Sequence, residues 1–196
     1  MELIRRRLLA LLLLIVSVAG GWQFGQGVWI YAKAGLAQVL MERAWQQSLE
    51  QGGNVKPWPW ADIWPVARLR VERLGVDLIV MRGQSGEALA FGPGHNRDSA
   101  QPGNNGTVVV SGHRDTHFRF MQLLQAGDAI ELESREGRFR YRLEEGAVVD
   151  ARQTQIANRE EGHYLALVTC YPFNSLDSSG SLRYLVSGTR EVAEWF

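Results

Sequence analysis

The chain has 196 residues, enough for one domain of ordinary size with an appendage. Lys plus Arg number 21 and Asp plus Glu number 21, which excludes both the net basic field that gathers nucleic acid and the acidic excess of a disordered chain. Only Lys33 and Lys56 are lysines, so no Schiff-base or phosphate-loop lysine exists beyond residue 57, and the single Cys170 permits neither an intrachain disulfide nor a C-x-x-C metal or redox pair.

The chain begins Met1-Glu2-Leu3-Ile4-Arg5-Arg6-Arg7 and then runs uncharged for 25 residues, Leu8 to Ala32. That exceeds the roughly 20 residues needed to span a bilayer, and the three arginines place the preceding tip on the cytoplasmic side. Residues 1–32 therefore read as a cytoplasmic tip and transmembrane anchor. A cleaved signal peptide is the competing reading, since Ser17-Val18-Ala19 and Ala32-Lys33-Ala34 offer small residues at cleavage-like spacing. From Leu36 to Leu49 the residues Leu36, Val39, Leu40, Ala44 and Trp45 recur mostly at spacings of three and four, the face of a stalk helix. Gly52-Gly53 ends it. Pro57, Pro59 and Pro65 then alternate with Trp58, Trp60 and Trp64, which suits an extended linker lying at a membrane interface or on the domain, so that residues 33–65 form stalk and linker.

From residue 66 onward, runs rich in β-branched and aromatic residues are divided by Gly, Asn and Asp, and they read as strands over 66–74, 78–82, 107–112, 129–133, 138–143, 164–169 and 182–187. Arg138 to Leu143 alternates strictly, with one charged and one buried face. Val108-Val109-Val110 and Leu165-Ala166-Leu167-Val168 lack a polar face and read as central strands. Phe118, Met121 and Leu124 predict one short helix before Gly127. Such a pattern favours a closed barrel or a sandwich for residues 66–196.

Cys170 ends one central strand, just before Tyr171-Pro172-Phe173, and His113 ends the other. An imidazole near a thiol lowers its pKa or carries its proton, and the thiolate is the nucleophile. A buried inert cysteine and a structural histidine are the plain alternatives. Asp115 can orient an imidazole or close a turn as an Asx residue. Arg183 lies in an otherwise apolar strand, where it either donates to an oxyanion or is an edge-strand arginine with its stem packed. His113 and His117 have H-x-x-x-H spacing, but the segment reads as strand end and turn without a third ligand or the H-E-x-x-H glutamate, so no metal is expected. His95 and His163, beside glycines, read as loop residues.

The order His113, Cys170, Arg183 in a β-rich domain behind an N-terminal span resembles the sortase family of cysteine transpeptidases. Leu167-Val168-Thr169-Cys170 is similar to that family's T-L-x-T-C strand end, and Ser111-Gly112-His113-Arg114 to its glycine-histidine strand end. Gly92-Pro93-Gly94-His95, Ser99-Ala100-Gln101-Pro102-Gly103, Gly106-Thr107 and His117-Phe118-Arg119-Phe120-Met121 agree as well, and Val168 to Phe173 resembles the proteobacterial class GN sortases. Ala166 departs from the threonine of many members. The resemblance covers about residues 66 to 190. It implies an all-β, eight-stranded barrel with short helices and two-step acyl transfer without a cofactor. In that scheme Cys170 attacks the threonine carbonyl of an LPxTG-like C-terminal sorting signal, His113 protonates the leaving amine, and Arg183 holds the oxyanion, with Asp115 and Thr169 in support. With no lysine beyond residue 57, an external amine or water must resolve the thioester. A plain cysteine hydrolase and a membrane-tethered, non-catalytic peptide-binding barrel are the other functions open to this sequence. Anchoring by the N-terminal span places the barrel outside the cytoplasmic (inner) membrane, periplasmic or extracytoplasmic.

Overall fold

The computed structural model describes residues 2–157, 159, 161–175 and 180–191. The chain forms two units, Met1–Val39 and Leu40–Phe196.

One helix, α1 (Glu2–Gln51), replaces the separate anchor and stalk helices expected from the sequence. Gly20, Gly21, Gly25 and Gly27 do not interrupt it; each glycine costs about 1 kcal/mol relative to alanine, which the unbroken ladder on either side outweighs. In the first unit Leu11, Leu12, Leu13, Leu14, Ile15 and Val16 are all exposed, so the helix is apolar all round, and it is long and apolar enough to cross a membrane. Gly52 and Gly53, with φ of 72° and 81°, end it in a left-handed turn that glycine adopts without strain.

In the second unit the end of α1 buries Met41 and Trp45 in a cluster with Ala61, Ile63, Ile79, Met81 and Ala88. The Pro/Trp segment lies on the domain. Trp58 meets Phe91 edge-on at 5.0 Å, and the Arg82 guanidinium stands 5.6 Å from the centre of the Trp64 ring, while Trp60 alone of the three is exposed. Arg68 joins the two layers by a bidentate pair with Asp77 (2.6 and 2.7 Å) and a bond to Glu42 on α1 (2.8 Å).

The strands are β1 (Pro65–Val71), β2 (Val76–Arg82), β3 (Gly94–His95), β4 (Gly106–Ser111), β5 (Ala129–Ser134), β6 (Gly137–Leu143), β7 (Ala147–Asp150), β8 (His163–Cys170) and β9 (Leu182–Arg190). They pair in the order β6-β5-β1-β2-β3-β4-β8-β9, and β6 pairs with β9 to close an eight-stranded barrel. β7 continues β6 along the same edge of β9: Leu143 opposes Gly188, Glu144 N–H donates to the Ser187 carbonyl, and Ala147 opposes Leu185. The one-residue slip between these pairings is a bulge. Gly146 sits in it because a Cβ there would lie 2.1 Å from the Tyr184 hydroxyl. Inside, Ala67, Leu69, Val108, Val110, Ile130, Leu132, Tyr141, Leu165, Leu167 and Val186 alternate with outward residues along their strands.

Several local expectations change. Residues 72–74 form a 3-10 turn, so β1 stops at Val71. The helix expected over 118–125 is a 3-10 helix, Arg119–Leu123; a spacing of three, as in Phe118, Met121 and Leu124, matches three residues per turn. A short helix α2 (Gly86–Phe91), capped by the Ser85 side chain, and the strands β3 and β7 were not anticipated. His163 is not a loop residue but opens β8, with its Nδ1 bonded to the Asn104 carbonyl at 2.9 Å. His95 is not one either: it lies in β3, fully buried, 2.9 Å from the Ala100 carbonyl through Nε2. Because that oxygen only accepts, the ring proton belongs on Nε2, and burial holds the imidazole below its ordinary pKa.

Candidate functional site

Alternation along the strands decides which way the candidate side chains point. In β8, Leu165, Leu167 and Thr169 are turned inward, so Cys170 is turned out; in β9, Val186 is inward and Arg183 is out. Cys170 is the direct antiparallel partner of Arg183, a pairing that sets Cβ atoms about 4.5 to 5.5 Å apart on one face. β4 and β8 are parallel, with Ser111 opposite Val168. Gly112 N–H continues that ladder to the Val168 carbonyl at 3.2 Å. His113 follows two residues past Ser111, where β4 has ended, and Cys170 lies two residues past Val168 at the end of β8. His113 is exposed and Cys170 half-buried, so one is open to water and the other partly shielded.

Two links hold these strand ends together. The buried Thr169 hydroxyl donates to the Gly112 carbonyl at 2.8 Å. Beyond the end of the β4–β8 ladder, the buried Arg114 guanidinium donates through Nη2 to the carbonyl of Ser175, in the loop that follows Cys170, at 2.8 Å. In the sequence Arg114 stands within Ser111-Gly112-His113-Arg114, and nothing in its neighbours marks it as buried.

Asp115 is turned toward Arg114. Its side chain is 66% exposed, its Oδ1 lies 3.6 Å from Arg114 Nε, and no hydrogen bond joins it to His113 among the described residues. Arg183 is not an edge-strand arginine, because β9 at this position is paired with Cys170 on one side and Val149 on the other. Its Nη1 donates to the Gly180 and Leu182 carbonyls, each at 2.8 Å. His117 is half-buried and bonded to the Ala90 carbonyl of α2, and burial, above all, keeps it below its ordinary pKa, with the nearby His113 adding to the effect. Residues 114–118 form turns, so the helical face that H-x-x-x-H spacing needs does not exist.

Two clefts are lined by neighbours of the candidate residues, though by none of the three themselves. One, of about 300 Å³, is lined by Arg114, Asp115, Arg119, Phe173, Asn174 and Ser175. The other, of about 150 Å³, includes outward residues of β8 and β9 (Ala166, Leu185, Ser187) with Ile156 and Ala157. A larger concavity of about 860 Å³ lies among Arg70, Asp77, Glu131 and Arg138 and contains none of the three candidates. Tyr171, Phe173 and Tyr184 pack together beside the Cys170 end of the sheet, with ring centres 5.3 to 6.5 Å apart.

Comparison with known proteins matches the barrel as a whole. The sortase domain family matches residues 69–191. Sortase D of Bacillus subtilis is 36% identical over 123 residues, 62% of this chain and 62% of its own length. Sortase SrtE1 of Streptomyces coelicolor is 26% identical over 179 residues, 83% of this chain and 49% of its own. This chain thus matches less than two thirds of the length of either curated relative. Among solved structures, sortase C-1 of Actinomyces oris superposes with a TM-score of 0.58 at 26% identity, covering 65% of this chain and 75% of its own. A Clostridium perfringens sortase D5 transpeptidase superposes with a TM-score of 0.64 at 22% identity, covering 81% and 99%.

Proposed function

Since this chain belongs to the sortase family, we propose that it is a membrane-anchored cysteine transpeptidase acting on proteins that carry an LPxTG-like C-terminal sorting signal. The observation that supports the reading is the register that pairs Cys170 directly with Arg183, with His113 following the end of the neighbouring strand β4, whose Ser111 lies opposite Val168. The Cys170 thiolate attacks the threonine carbonyl carbon, and the carbonyl π electrons move to oxygen. Arg183, whose Nε and Nη2 donate no hydrogen bond among the described residues, turns its planar fork to that oxyanion. The tetrahedral species collapses to a thioester as the C–N bond breaks, and His113 gives its proton to the departing amine. An incoming amine then attacks the thioester, surrenders a proton to His113, and expels the thiolate. The cleft with Ala166, Leu185 and Ile156 runs along the same face and suits the apolar residues preceding the scissile bond.

Thr169 supports the site by holding the Gly112 carbonyl, and Asp115 does so through Arg114. The apolar span of α1 anchors the chain in the cytoplasmic membrane, N-terminus inside, with the barrel of residues 66–196 on the extracytoplasmic side and 33–65 as stalk and linker. The resemblance of the run Val168 to Phe173 supports assigning the chain to the proteobacterial class GN sortases. Intact-mass analysis of the protein incubated with a sorting-signal peptide tests the mechanism: an acyl adduct on Cys170, released by an added amine and absent in Cys170→Ala, is expected. Release by water with no amine capture identifies a hydrolase instead, and no adduct with any signal peptide refutes the proposal.

A further inference from the structure

We propose that Arg114 is a positioning residue that sets the separation of the Cys170 thiol and the His113 imidazole by tying together the two loops that leave their strands. The proposal rests on the catalytic pairing argued above and adds a residue to it. The backbone ladder between β4 and β8 reaches Gly112 and Val168, and the Thr169 hydroxyl adds one bond at Gly112. Neither bond fixes what lies beyond. The His113 carbonyl accepts from Thr116 N–H at 3.3 Å and Phe118 N–H at 3.0 Å, and beyond Cys170 only Tyr171 N–H, donating to the Leu182 carbonyl at 3.1 Å, continues the ladder to β9 among the described residues before the chain turns away from β4.

Across that unpaired gap lies the guanidinium of Arg114, 4% exposed, donating to the Ser175 carbonyl 61 residues away in sequence. A buried cation is retained only where its hydrogen bonds are met, so this group specifies a geometry more than it adds stability. Arg114 adjoins His113, and Ser175 lies five residues past Cys170, so the bond closes a ring through both reactive groups. A planar fork donating in fixed directions holds such a ring more rigidly than an ammonium does. His117, bonded to Ala90, steadies the far side of the same turn.

Cys170 is the only cysteine, so its alkylation by iodoacetamide can be followed without a substrate and reads the thiol's coupling to the imidazole directly. The rate–pH curves of the wild type and His113→Asn are measured first; the gap between them is the contribution of the imidazole. In Arg114→Met most of that gap should close, and in Arg114→Lys, which keeps one charged donor, about half. With a signal peptide, thioester formation should slow about 10- to 100-fold in Arg114→Met, with KM within about threefold and melting recorded in parallel. If Arg114→Met does not fold, Arg114→Lys carries the test.

Wild-type alkylation curves in the Arg114 variants, with the wild type and His113→Asn well separated, overturn the positioning role and leave the catalytic pair intact. A loss confined to KM also overturns it, by making Arg114 a substrate-binding residue. Identical curves for the wild type and His113→Asn overturn the pairing itself and this role with it.

Discussion

A guanidinium set between two paired strands is asked to do something a charge alone does not do. Arg183 has Cys170 across one edge of β9 and Val149 across the other, and it already holds two carbonyl oxygens. A lysine there keeps the charge but not the fork, so Arg183→Lys should slow thioester formation about 10²- to 10³-fold, as the loss of one oxyanion donor does. Its melting temperature should stay near that of the wild type. Near-wild-type chemistry in the lysine variant removes Arg183 from the catalytic set. Tyr141 offers the opposite case: it is fully buried in the barrel core, its hydroxyl has no hydrogen-bond partner among the described residues, and burial pushes its pKa up to about 12. Removing an unpaired buried hydroxyl ends a desolvation penalty of about 1 to 3 kcal/mol. Tyr141→Phe should raise the urea midpoint without changing its slope, and a lower midpoint shows that the hydroxyl has a hidden partner.

At the level of elements, the turn after β4 depends on an absence of side chain. A Cβ on Gly112 would come within 2.7 Å of the Phe118 ring, and Phe118 is fully buried in the barrel core. Gly112→Ala must displace either the ring or the turn carrying His113. We expect a stability loss of about 1 to 3 kcal/mol, typical of overpacking, together with a fall in thioester formation larger than that loss explains. Equal rates at a temperature where both proteins are folded show that the ring yields and the turn does not. Most of the barrel was legible because its strands carry long period-2 or wholly apolar runs, from Val66 to Val71 through Leu182 to Ser187. What escaped is short. β3 is two residues held by its neighbours, and β7 is three apolar residues and an aspartate after Glu144-Glu145-Gly146, too brief to set a period. α2 had a readable signal in the Ser85 cap, which accepts from Ala88 N–H three residues on. For the candidate site, strand ends pointed to Cys170 and His113, whereas the hydrogen bond of Arg114 reaches a loop 61 residues distant and leaves no local trace. His95 misled because a histidine beside glycine suits a turn, and here the glycine serves instead to let β3 approach Gly83, whose carbonyl oxygen a Gly94 Cβ would meet at 2.2 Å.

For the molecule as a whole, acid should act in two stages. His95 and His117 are held below their ordinary pKa by burial, so as pH falls through about 6.5 the unfolded chain takes up protons that the folded chain refuses, and stability declines from there downward. Asp77, Asp128 and Asp150 are held low chiefly by hydrogen bonds from Arg68, Arg73 and Arg152 respectively. Their contribution is present above about pH 4 and is lost below it, making the second, steeper stage. Melting temperatures measured from pH 8 to 3 check this, and a flat profile between 7 and 5 contradicts the first stage. The bulge at Gly146 divides the labour of β9 unevenly. Its Gly188–Arg190 end belongs to the closed ring, where opening one seam means opening the barrel, but among the described residues Leu182–Leu185 is covered on that edge only by the four residues of β7. Native-state hydrogen exchange should therefore find β7 amides released by local fraying, with a free energy well below that of global unfolding, while Tyr141 to Leu143 exchange only with the whole domain. The strand segment that carries Arg183 is then the part of the wall free to breathe, on a cylinder that otherwise opens all at once.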